Sequence, residues 1–288
     1  MRSSRGGVVP KLVPEASVQV DYIEWRPWAD ARKQPHIMVG ATGQPMVKVL
    51  SKDPESGAET LMYELPQGWR AEGLENTVYE NLMVLDGELE VDGETLRKYA
   101  YSYRPEGHRT GPVSTVTGAV VIAIAGAPGE LSSKIPVPHL DVEAMPWTLR
   151  PTSLVTSRSY IKMLRADEEN LDTFYMARST RGAHSEGTTS HEAPEESYFF
   201  EGEAWYYDGI TGGRLVARRG TYVHRGAMSV HGYVDILEDH LSLKHDYFNH
   251  GDDEMSRDAE LLLAAYPKET DAVKALREGR DPGLPRRW

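Results

Sequence analysis

The sequence predicts an all-β protein of two tandem barrels. Three observations predict it: the chain repeats itself, each copy is a series of short strand-like segments between glycine turns, and the longest apolar run has only strand length. Residues 45–53, PMVKVLSKD, match residues 159–167, SYIKMLRAD, at an offset of 114. TLMY at 60–63 falls on TFYM at 173–176, and GWRAEG at 68–73 on GAHSEG at 182–187. YENLMVLDGELEV, beginning at Tyr79, meets PEESYFFEGEAWY, beginning at Pro194, so Glu80 pairs with Glu195 and Gly87 with Gly202. YRPEG at 103–107 then pairs with YVHRG at 222–226. A period of about 110 residues describes two related domains rather than a solenoid.

The expected organisation is an N-terminal arm over 1–20, a first barrel over 21–140, a second over 141–250 and a helical tail over 251–288. In the first copy, Leu82, Val84, Leu89 and Val91 alternate around Asp86-Gly87, which reads as a hairpin turn. In the second, Tyr198–Phe200 run into Glu201-Gly202, and Trp205–Tyr207 into Asp208-Gly209. Ala119–Ala125, after Gly118, reads as a buried strand. IPVPHLDVEAMPW (135–147) is a proline-rich connection between the copies. In the tail, Ser256 or Asp258 can cap RDAELLLAAY before Pro267, and Thr270 can cap DAVKALRE before Gly279. Two short helices there would cover a sheet edge or a neighbouring subunit.

Composition narrows the function. The 288 residues contain no cysteine, which removes disulfide scaffolds, thiolate metal sites and cysteine nucleophiles. The basic N-terminus lacks a signal-peptide apolar core, and no run approaches the roughly 18 apolar residues of a membrane span, so a cytoplasmic location is expected. A net charge of −12 disfavours nucleic acid and anionic membrane as partners and leaves a small molecule. No Ser-His-Asp elbow, phosphate loop or dinucleotide fingerprint is present.

The chemistry-bearing segment is HEAPEESYFFEG: His191, three residues, Glu195, six residues, Gly202. It resembles the later half of the first cupin motif, in which two histidines one residue apart precede a glutamate and then a glycine. HRGAMSVHG resembles the second motif, with Gly226 in place and His231 the nearest following histidine. Over roughly residues 20–250 the pattern is most similar to the anti-sigma-factor-like branch of cupins, duplicated, which implies jelly-roll (double-stranded β-helix) barrels. Thr189 stands where the motif has its first histidine, and His184 upstream is a candidate substitute. The motif's proline is His224, and Ser229 occupies the histidine place, two before His231.

Imidazole and carboxylate ligands converging inside one small barrel suit a single divalent metal. The resemblance implies His184, His191, Glu195 and His231 as its ligands, with iron preferred and zinc, manganese or nickel as alternatives. Tyr198, His224 or Glu196 would carry protons. The bland readings are a surface loop pair for His191 and Glu195, a turn histidine for His231, solvent or a supporting contact for Glu196, and pocket wall or structure for His224, His240 and His245. His240 and His245 differ by an odd number and should face opposite sides of one strand. Arg70, Asn76 and Thr110 stand opposite His184, His191 and His231, so the first barrel is read as metal-free, with Glu80 alone retained.

Three functions are weighed. A metal-dependent enzyme of dioxygenase type would take a β-diketone, enol or hydroxyketone substrate; with zinc, the same site would isomerise, cyclise or hydrolyse. A zinc-holding regulator would bind a partner protein. A metal-free cupin would do acid–base work. A homodimer through barrel edges is expected.

Overall fold

A computed structural model describes residues 16–28, 35–54, 56–130, 132–149, 159–167, 172–184, 188–189, 194–208, 213–226 and 229–247. Both helices expected in the tail lie outside these residues. Within them the regular structure is almost entirely antiparallel strand, and no helix is long and apolar enough to cross a membrane.

Two seven-stranded sheets repeat one order. The first runs Val137–Leu140, Tyr101–Arg104, Glu80–Gly87, Ala119–Ala125, Glu59–Leu65, Met46–Lys52 and Arg26–Pro27. The second runs Ala16–Gln19, Thr221–Arg225, Glu195–Glu201, His240–Asp246, Thr173–Ser179, Ser159–Ala166 and Thr148–Leu149. Smaller sheets close each barrel, among them Glu203–Asp208 between Gly213–Arg218 and His231–Ile236. The first strand of each order comes from the segment preceding one repeat and pairs in the sheet of the other. Ala16–Gln19 lies along Thr221–Arg225, and Val137–Leu140 along Tyr101–Arg104. This reciprocal exchange covers the outer strand of each large sheet. Each crossing arm then ends in the same device. Lys48 donates to the Val20 carbonyl (2.9 Å) with its ammonium 4.7 Å over the Trp25 ring, and Lys162 donates to the Val142 carbonyl (2.7 Å) 4.7 Å over Trp147.

Strand alternation sorts residues between two environments. Leu82 and Val84 fill the first barrel, while Met83 between them joins a core shared by both repeats. In the second repeat Phe199 packs inside the barrel and Phe200 in the shared core. That seam contains Met62, Tyr101 and Ile122 from one side and Phe174, Met176 and Leu243 from the other. Tyr101 stacks on Phe174 with ring centroids 5.1 Å apart, a geometry that adds about 0.5–1.5 kcal/mol beyond burial. Ala119–Ala125 does not alternate because both of its faces are covered, one by the barrel core and one by the seam.

The expected hairpin at Asp86-Gly87 is not a hairpin. Glu80–Gly87 pairs with Tyr101–Arg104 and Ala119–Ala125, while Leu89–Val91 belongs to another sheet. Gly87, at φ +74°, turns the chain from one sheet to the next, and a Cβ there would sit 2.0 Å from the Gly118 carbonyl oxygen. Gly202, at φ +78°, makes the same corner, its Cβ position 2.2 Å from the Asp239 carbonyl oxygen. The motif's glycine is therefore fixed twice over, by dihedral and by close approach. Glu203–Asp208 does return as a hairpin, with Asp208 paired to Gly213.

Buried phenols give the fold an alkaline limit. Tyr222 is held well above the usual phenol range by burial first and then by the Glu196 carboxylate beside it. Tyr247 is raised by burial and by Glu196 as well, and Tyr79 by burial with Glu130 and Asp172. A phenol whose folded pKa is raised leaves stability intact below the unfolded value near 10; above it, the unfolded chain alone ionises. Each such tyrosine adds a loss of about 1.4 kcal/mol per pH unit. Urea midpoints should be flat from pH 7 to about 9.5 and fall steeply beyond, and Tyr222→Phe should lessen the slope. A midpoint constant to pH 11 would contradict this.

Candidate metal centre

Glu195 opens its strand facing the interior of the second barrel, on the same side as Phe199. Its direct cross-strand neighbours are Arg225 and Asp246. Arg225 Nε lies 3.3 Å from Glu195 Oε1, and His231 Nε2 lies 3.5 Å from the same oxygen. Glu195 keeps 14 % of its side chain accessible, so the group is not sealed. His231 Nδ1 sits 2.9 Å from the Ser229 carbonyl. A carbonyl only accepts, so Nδ1 carries the hydrogen, which leaves Nε2 as the ring atom that faces Glu195. Asp246 accepts from Tyr175 Oη at 2.6 Å, and its other carboxylate oxygen makes no hydrogen bond.

His231 reaches this place through a local irregularity. Asp235 pairs with Trp205, yet Gly232 pairs with Tyr207, so the strand carries one extra residue between them. The bulge lets both Ile236 and His231 turn inward although a regular strand would set them on opposite faces.

Beside this group lies a cavity of about 80 Å³ lined by Ser159, Ser179, His184, Tyr206, His240 and Lys244, with Ala177, Ala183, Val234 and Ile236 as its apolar wall. Arg225 reaches over the Tyr206 ring, 5.6 Å from its centroid, and so links carboxylate and cavity. Burial pushes His240 down to about 4, with Lys244 acting in the same direction and Asp239 against it. His240 is therefore a neutral imidazole at pH 7, with no hydrogen bond at Nδ1.

The structure brings Glu195 and His231 together. His184 is exposed and bridges to Asp235, and it shares the cavity lining with His240. His191 lies outside the described residues. Among those residues no three His, Asp or Glu side chains form a metal-sized group. Glu196, His224 and Tyr198 fall on the other face of their strands. Glu196 is 1 % exposed and receives hydrogen bonds from Thr60, Tyr222 and Tyr247, away from solvent. His224, also 1 % exposed, is opposite Glu196, and Tyr198 packs on Phe200 in the seam with its phenol pushed up to about 12, by burial first. The two-residue period of a strand separates these three from Glu195. His245, too, faces the seam, against Phe174 and Tyr247, while His240 faces the cavity.

The first barrel repeats the carboxylate–arginine pair without the histidine. Thr110 pairs with Leu74 as His231 pairs with Thr189 one repeat later. Glu80 is opposite Arg104 (3.6 Å) and is surrounded by His36 Nδ1 (3.2 Å), Asn76 Nδ2 (3.3 Å) and Tyr63 Oη (3.5 Å). Burial would raise the Glu80 carboxyl, but His36, Arg104 and Asn76 together bring it below the ordinary range. Register makes Arg104 the counterpart of Arg225 and Tyr101 that of Tyr222, two residues from the sequence pairing of Tyr103 with Tyr222. That slip concealed both arginines. His36 was missed because it precedes the matched segments, on a strand where it pairs with Asn76.

No protein-family model and no curated protein sequence matches the chain. Solved structures do. A candidate dioxygenase from Nostoc punctiforme superposes with a TM-score of 0.69 at 16 % identity, covering 82 % of this chain and 83 % of that one. A cupin 2 conserved barrel domain protein from Leptotrichia buccalis gives 0.51 at 13 % identity, covering 80 % and 100 %. Oxalate decarboxylase from Bacillus subtilis, described with Mn(II) centres, gives 0.52 at 12 % identity, covering 82 % and 78 %. The chain has the cupin fold, in its two-barrel form.

Proposed function

We propose that the second barrel holds one divalent metal and that the chain is a metal-dependent enzyme acting on a small oxygenated molecule, with dioxygenase-type chemistry. The carrying observation is the placement of two potential ligand atoms: His231 Nε2 and a Glu195 oxygen face each other 3.5 Å apart, with His231 Nδ1 committed to the Ser229 carbonyl. With Nε2 deprotonated, the two atoms would offer a cation adjacent ligands, and a metal-binding histidine is usually held through its other nitrogen in this way. His191 would complete the donors, with His184 as a further candidate from the cavity lining. Likeness to a candidate dioxygenase and to a decarboxylase described with Mn(II) supports the reading.

Bound iron would supply dioxygen activation, whereas zinc would supply carbonyl polarisation. The chain's own groups favour a substrate that binds as an anion. Glu195 and Asp246 contribute two negative charges, whereas a divalent metal, Arg225 and the Lys244 in the cavity wall contribute four positive ones, so an enolate or carboxylate suits the site. Arg225 would steady Glu195 and negative charge developing on substrate oxygen. Neutral His240 and the Tyr206 hydroxyl would accept and return a proton within the cavity. The apolar wall of Ile236, Val234 and Ala177 would pack against the carbon skeleton of the substrate.

Protein produced with iron, manganese or zinc should carry metal near one equivalent, and His231→Ala should weaken metal affinity by more than about 100-fold. Iron-loaded wild type should consume dioxygen with an enolisable 1,3-dicarbonyl, and Glu195→Gln should not. Equal metal content in wild type and His231→Ala would defeat the proposal, and stable zinc without turnover would defeat the dioxygenase assignment.

A further inference from the structure

We infer that the first barrel is a second, metal-free binding site, which takes a small carboxylate on the Arg104 guanidinium. The barrel contains a cavity of about 210 Å³ beside the strand Tyr101–Arg104, with Ser102, Arg104, His108, Thr110 and His139 in its wall. Arg104 is 2 % exposed, and neither of its terminal nitrogens makes a hydrogen bond. Its nearest carboxylate, Glu80, stands 3.6 Å away and is already occupied by His36, Asn76 and Tyr63. Ser102 Oγ, Thr110 Oγ1 and His139 Nδ1 are likewise buried and without a partner. Four side chains around one cavity thus hold unmet polar atoms, whereas buried polar groups are ordinarily satisfied.

The donors select the ligand. A guanidinium offers a planar fork that matches a carboxylate with two parallel hydrogen bonds, and the hydroxyls of Ser102 and Thr110 can add one each. Thr110 occupies the place of His231, so the same position that supplies a metal donor in one barrel supplies a hydroxyl in the other. His139 arrives on the crossing arm Val137–Leu140, on the strand face shared with Ser102 and Arg104. Asp92 and Glu94 lie exposed at the rim and bias the mouth against multiply charged anions. A monocarboxylate fits this balance better than phosphate or sulfate.

The site also carries its own reporter. Burial first, then the Arg104 charge, and to a smaller extent His108, hold His139 down to about 4, with Asp92 acting against them. A bound carboxylate adds negative charge beside the ring and should raise that value, so binding tightens as pH falls from 7 toward 5.

The test uses the full chain with sodium acetate and sodium butyrate, and with sodium chloride and sodium sulfate at matched ionic strength. Carboxylates should raise the unfolding temperature and shift the His139 and His108 ring proton signals. Thr110→Val, nearly isosteric, should weaken carboxylate binding about tenfold, and Arg104→Lys should weaken it more, both with second-barrel metal content unchanged. Should Arg104→Lys fail to fold, Thr110→Val and Ser102→Ala carry the test. Equal effects from chloride or sulfate, unshifted histidine signals, or unchanged affinity in Thr110→Val would each overturn the inference. Since the readouts do not pass through metal or turnover, failure of the second-barrel proposal leaves this one standing.

Discussion

Glu196→Ala is expected to lower stability by about 3–5 kcal/mol, equivalent to about 10 °C in unfolding temperature, because it removes a buried acceptor on which both barrels converge. The Glu196 carboxylate is 1 % exposed. From the first repeat, Thr60 donates to it at 2.5 Å; from the second, Tyr222 donates at 2.5 Å and Tyr247 donates to the other oxygen. Tyr222, whose hydrogen is committed there, lies 2.8 Å from Ser51 Oγ and can accept from it. Alanine would take a charged acceptor from three buried hydroxyls and open a void, and hydrogen bonds to a charged acceptor are the costly ones to lose. Glu196→Gln keeps the shape and one acceptor oxygen, so its loss should be about half as large. Calorimetry of the two variants decides the matter. A fall under about 2 °C for alanine would show that the hydroxyls find other partners and that the seam does not depend on this group.

The architecture was legible because a duplicated series of short strands leaves a mark that survives poor side-chain matching. Lys48 and Lys162, aligned from sequence, prove to sit on equivalent tryptophans at the ends of equivalent arms. What could not be read was direction. Asp86-Gly87 and Glu201-Gly202 have the composition of hairpin turns, but a corner between sheets demands the same positive-φ glycine. Glu195 and Glu196 are adjacent identical residues, and only the register assigns one to the barrel and the other to the seam. His231 stands two places beyond the motif's position, and the bulge that turns it inward has no local sequence signal beyond Gly232. The Arg104–Arg225 equivalence was hidden by a two-residue shift in a segment with few identities. The arm exchange was equally hidden, since pairing between residues some 200 apart is a property of the folded sheets.

The two barrels carry one pair of residues in two settings, so the same substitution should have opposite consequences. Glu80 is fully buried, meets an arginine, a histidine, an asparagine and a tyrosine, and has no accessible surface. Glu195 meets Arg225 and His231 and keeps 14 % of its side chain accessible. Glu80→Ala leaves Arg104 and the His36 ring without their shared carboxylate and should destabilise the chain by about 3–5 kcal/mol. Glu195→Ala exposes Arg225 to a cavity that water can enter, and should change stability by about 1 kcal/mol or less while lowering metal occupancy and turnover by orders of magnitude. Acid sharpens the contrast. Because the Glu80 carboxyl is held below its ordinary value, the stability it supplies is complete above about pH 5 and is lost as pH falls through the depressed folded value. Wild type should therefore lose stability steeply below pH 4, and Glu80→Gln should flatten that limb of the curve. Urea titrations of both variants from pH 3 to 8, alongside metal analysis, separate the roles. If Glu195→Ala unfolds as readily as Glu80→Ala, the second carboxylate is a structural ion pair like the first, and the metal must be sought elsewhere.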